Sequence, residues 1–284
     1  MPFFIAAGLI TLAMSPLLIP FAQYSLGNSL YSHLLLIPVV SAYLVWQAKA
    51  TLPGPSRPWR AFALIPAALA GAALAYRLGG APSAPVNGMA ATAFAYVMLI
   101  WAAALATLGR DTVRKTVFPL AFLVAMIPFP VPVEQAIETF LQHGSAECAY
   151  WMFRVTGTTL FRDGLVFHLP GISMQVAPEC SGIRSSLVLL ITSLVGGYLF
   201  LKSPWRRGAL ALFVIPLALV RNGFRVFVLG ELCVHIGPHM IDSPIHHQGG
   251  PIFFALSLIP FSGVVWLLMR SERKAAGARK FSKG

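Results

Sequence analysis

Against an otherwise apolar chain, a thiol, three guanidiniums and a pair of imidazoles stand out. They are Cys180 and Arg184 in "APECSGIRSS", Arg221 and Arg225 in "RNGFR", and His246 and His247 in "HHQGG". A cysteine is nucleophilic as its thiolate, which a helix N-terminus or a neighbouring guanidinium favours. Imidazole carries protons near neutral pH, and a guanidinium can donate to an oxyanion. Together they could perform acyl transfer through Cys180, with Ser181 and Asn222 in supporting positions. Blander readings compete with this one. A cysteine in a membrane helix is commonly a small apolar residue, and an arginine near the end of a span can snorkel to the headgroups. A metal site built from Cys233, His235, His239, His246 and His247 is disfavoured, because no HExxH is present and Gly237-Pro238 interrupts any helix. Neither a metal nor a cofactor is therefore expected.

Such residues act only if something brings them together. Of 284 residues 57% are hydrophobic and 11% charged, and the mean hydropathy is +0.74, which predicts an all-α integral membrane protein. Apolar runs near 3–22, 31–48, 61–77, 89–108, 116–133, 183–201, 208–230 and 251–269 predict about eight spans in one bundle, a single polytopic domain over 1–284. The first run lacks a basic leader and is read as a retained span. Three cysteines without a CxxC motif argue against a disulfide framework.

The formal charge of +12 raises the question of nucleic acid, which the placement of the charges answers. Lys49, Arg57, Arg60, Arg110, Arg114, Lys115, Lys202, Arg206 and Arg207, with the six basic residues of the tail 270–284, make 15 of the 21. All fall in connections on one side of the expected bundle. The positive-inside rule then predicts cytoplasmic termini, contact with lipid headgroups and no nucleic-acid partner. Acidic residues Glu134, Glu138, Glu147, Asp163, Glu179, Glu231 and Asp242 gather on the opposite, extracytoplasmic side. There the segment 134–182 predicts a short amphipathic helix and then a β-hairpin, with Leu165, Phe167 and Leu169 alternating before a Pro170-Gly171 turn. The hairpin delivers the chain to Cys180 at the outer mouth of the sixth span. Arg225 lies about 25 Å along the seventh span at the helical rise, and so at the same face. The loop carrying His246 and His247 returns there too.

With these elements in order, the chain resembles the exosortases and archaeosortases, multi-span membrane transpeptidases. The likeness rests on "ECSGIRSS", on "NGFR" as an Asn-x-x-Arg box, on "HHQGGPIFF" as a His-x-x-x-Gly element, and on "YSHLLLIPVVSAYLVW" as an early Ser-His span containing His33. It implies Cys180 as nucleophile, Arg225 as the essential arginine and His246 as proton carrier, with His247 an alternative register. It also implies an inner-membrane enzyme. Its substrates would be exported proteins ending in a PEP-CTERM-like sorting signal with a transmembrane tail, transferred to an acceptor. Two other classes stay open from the residues alone. One is a transporter or channel binding an anion at Arg221, Asn222 and Arg225; the other is a structural subunit of an export assembly.

Overall fold

A computed structural model describes residues 2–48, 58–79, 85–178, 181–243 and 249–281. Its contacts divide the chain into two compact units, Met1–Glu134 and Gln135–Gly284.

The first unit is helical. Helices α1 (Pro2–Ala13) and α2 (Ser15–Gly27) meet at a 76° bend. A 3-10 turn, Ser32–Leu35, leads into α3 (Leu36–Ala48), and α4 (Arg60–Leu78), α5 (Pro85–Thr107), α6 (Arg110–Lys115) and α7 (Val117–Phe122) follow. Alanines let the backbones approach, with Ala70, Ala93, Ala95 and Ala104 all fully buried. The half-buried His33 sits in the 3-10 turn, next to a buried Tyr31 that donates its hydroxyl proton to the Glu134 carboxylate.

The second unit holds most of α8 (Val131–Thr156) and a three-stranded antiparallel meander of β1 (Phe161–Asp163), β2 (Val166–Leu169) and β3 (Ile172–Gln175). Helices α9 (Ile183–Phe200), α10 (Pro204–His235) and α11 (Gly250–Phe281) complete it, with a 3-10 turn at Pro238–Asp242. The Pro170-Gly171 hairpin forms as expected, pairing Leu169 with Ile172. A third strand precedes it, joined through Gly164 at φ +57°. The sheet buries Phe167, Leu169, Met174 and Val176 against Ala146, Ala149 and Phe153 of α8 and Val226, Leu229 and Cys233 of α10.

Membrane-spanning character is plain on the outside: Leu64, Ile65, Ile252 and Ile259 are all more than half exposed, the reverse of a soluble core. Five helices, α4, α5, α9, α10 and α11, are long and apolar enough to cross a bilayer, and seven spans result if each of two bent pairs counts as one. Eight continuous spans are not found among the described residues. The first expected span breaks at Met14, where Pro16 opens α2. The fifth, 116–133, ends in a 3-10 turn at Leu123–Met126 ahead of Pro128-Phe129-Pro130. The second, Ser32–Ala48, is an apolar segment shorter than the rest.

Candidate active site

One face of α10 is buried along its length, with Leu210, Val214, Leu217, Ala218, Arg221, Asn222, Val226, Leu229 and Cys233 recurring every three or four residues. Its seam opposite α8 is backbone against backbone. A Cβ on Gly223 would lie 2.5 Å from Cβ of Cys148 and 2.9 Å from the Ser145 carbonyl oxygen. Gly230, seven residues on, would put one 2.5 Å from the Phe153 ring. The glycine of the Asn-x-x-Arg box is thus a packing requirement, which its spacing in the sequence did not reveal.

On that face Arg221 is only 7% exposed. Its Nη2 donates to the Gly182 carbonyl at 3.4 Å and to Ser186 Oγ at 3.2 Å. Its Nη1 is buried with no hydrogen-bond partner among the described residues. Gly182 caps α9 in the left-handed region at φ +73°, and a Cβ there would stand 2.9 Å from Asn222 Oδ1. No other residue meets both demands. The Gly182 carbonyl also accepts Ser185 Oγ at 3.1 Å and Ser186 Oγ at 2.8 Å. Ser181, buried at 1% exposure, donates its N–H to the Pro178 carbonyl at 3.0 Å, and its Oγ accepts the Ile183 N–H at 3.4 Å. Ser181, Arg221, Asn222 and Ser186 therefore meet at the start of α9.

Arg225, half-buried and one turn beyond Arg221, lines a cleft of about 130 Å³. The other walls are Met174, Gln175, Val176 and Ala177 from β3 and the chain after it, Val226 and Leu229 from α10, and Ile241. Gln142 of α8, itself buried, steadies that wall by donating to the Val176 carbonyl. Arg184 points elsewhere: it is exposed, and makes no hydrogen bond or ion pair among the described residues. Cys180, His246 and His247 lie outside the described residues. Their neighbours do not: Cys180 is bonded to Ser181, about 3.8 Å between Cα atoms, and the two histidines lie between Ser243 and Gly249, ahead of α11. Of the described thiols, Cys233 is enclosed in the sheet–helix core and Cys148 is half-buried in the α8 seam. His235 faces outward to pair with Glu231 at 3.0 Å, away from Cys233.

The arrangement offers a partly enclosed cleft lined by Arg225 and by the strand that leads toward the cysteine box, and one turn earlier on α10 a buried guanidinium held at the start of α9; a guanidinium can bind an oxygen that carries or develops negative charge. Over residues 25–263 the chain matches the family described as transmembrane exosortase. No curated protein and no solved structure matches it.

Proposed function

The chain belongs to the transmembrane exosortase family, and on that premise we propose that it is a membrane cysteine transpeptidase acting on C-terminal sorting signals of exported proteins. The observation that carries the reading is the bond from Arg221 to the carbonyl of Gly182, two residues past Cys180. It ties the cysteine box to the Asn-x-x-Arg helix.

In this reading the substrate's apolar tail lies in the bilayer and its sorting motif enters the cleft lined by Arg225. The Cys180 thiolate attacks the scissile carbonyl, and Arg225 stabilises the thiolate or the oxyanion that forms. His246, or His247 in the neighbouring register, gives a proton to the departing amine, leaving the exported protein as a thioester on Sγ. The amine of an acceptor then attacks the thioester, loses a proton to the same imidazole and releases the thiolate. The enzyme would work at the extracytoplasmic face of the inner membrane.

The test is cleavage of a co-expressed exported reporter ending in a short motif, an apolar helix and a basic cluster. The wild-type chain should process it, and Cys180→Ala should leave it intact at equal membrane abundance. Processing by the alanine variant would sink the mechanism and turn attention to anion transport at the same arginines.

A further inference from the structure

The sheet beside the cleft has an open edge. In the order β1-β2-β3, β3 is terminal. The Val176 N–H donates to the Leu165 carbonyl, toward β2. By the period of two, the main-chain groups of 172, 174 and 176 face β2, and those of Ser173, Gln175 and Ala177 face away. None of these three makes a main-chain hydrogen bond on that side among the described residues. Ser173 and Gln175 are exposed and Ala177 is half-buried. An unpaired row of alternating N–H and C=O groups at strand spacing is a template for one more extended chain.

We propose that the sorting motif binds by strand addition: the substrate pairs its main chain with Ser173, Gln175 and Ala177 along β3, and so runs to Cys180. The proposal rests on the transpeptidase reading and adds how the substrate is held. Three observations choose an extended peptide as occupant. The edge reciprocates the groups of a peptide backbone and of little else. It is continuous with the proposed site, because Ala177 lies three residues before Cys180, and Gln175 and Ala177 both line the cleft. The cleft's charge fits as well: among the described residues of its lining Arg225 alone is charged, which disfavours a basic side chain on the paired segment there. The remaining walls are largely aliphatic, which suits a segment leading to an apolar tail.

Gln175→Pro tests this, because it removes an outward N–H and leaves the β2 ladder whole, a change that edge strands tolerate. With the exported reporter, KM should rise about fivefold to tenfold, the weight of one main-chain hydrogen bond with some steric loss, while kcat stays within about twofold. An unchanged KM, or a loss in kcat alone, would overturn strand addition. Should the proline variant fail to fold, amide exchange in full-length Cys180→Ala with the reporter bound decides. Exchange at 173, 175 and 177 should slow while 172, 174 and 176 keep their rates. Uniform or absent protection would overturn the proposal. Reporter cleavage by the wild type together with an unchanged Gln175→Pro refutes strand addition alone, whereas no cleavage by the wild type removes the transpeptidase reading as well.

Discussion

A guanidinium taken out of water costs several kcal/mol unless its donors are met. Arg221 is nearly enclosed, and among the described residues its acceptors are a carbonyl and a hydroxyl rather than a carboxylate. A residue chosen for stability alone would be apolar here. We therefore expect Arg221→Met to keep or raise the melting temperature while cleavage slows on the order of a hundredfold, the scale of losing an oriented donor. Arg221→Lys, which keeps the charge but not the fork, should fall between. Reporter time courses and melting curves in detergent check this, and a melting temperature that drops in step with activity would reduce Arg221 to a structural part. The sequence marks Arg221, Asn222 and Arg225 as a group because charge within a span is conspicuous. Which of them is fastened to the cysteine box depends on helix rotation, and Gly182's backbone angle has no signature beyond its being glycine.

Elements are held at the site by close approach as much as by apolar area. At Gly223 a methyl group would meet a side-chain carbon and two backbone atoms of α8, and the backbone atoms can yield only by moving the helix. Gly223→Ala should cost about 1–3 kcal/mol as overpacking and lower cleavage through the displaced arginines. Gly208, on the same helix with nothing within 4 Å, should gain up to about 1 kcal/mol from the same change. Melting of the two variants side by side checks the contrast, and equal shifts would refute the packing argument. The long spans were legible because uninterrupted apolar runs dominate their sequence. The breaks at Met14 and after α7 were not: the flanking segments are as apolar as any span, and prolines also occur inside unbroken α4, α10 and α11. The strand β1 was missed because Phe161–Asp163 is too short to show alternation.

Three helices of the second unit, α9, α10 and α11, are each long and apolar enough to cross the bilayer unbroken. Glu272 of α11 accepts the main-chain N–H of Ser203 at 2.8 Å and lies 3.5 Å from Arg206, so the start of α10 and the far part of α11 share one end. Lys202, Arg206, Arg207 and Arg270 collect there, while the sheet and the 3-10 turn at Pro238–Asp242 pack on the opposite half of α10. With α9, α10 and α11 all crossing, we expect by the positive-inside rule that the basic end lies inside and the cleft outside. Exposed cysteines introduced one at a time test this in intact spheroplasts, in a Cys180→Ala background whose own labelling, from Cys148 and Cys233, is measured alongside. Ile236→Cys, at the end of α10, should react with a membrane-impermeant maleimide directly, and Ala275→Cys only after permeabilisation. The reverse pattern would put the cleft in the cytoplasm, where an exported protein could meet it only before translocation. Direct labelling of both would mean that α11 does not cross. The expected pattern leaves one order of events: the substrate is exported first, arrested by its apolar tail, and only then meets the thiol.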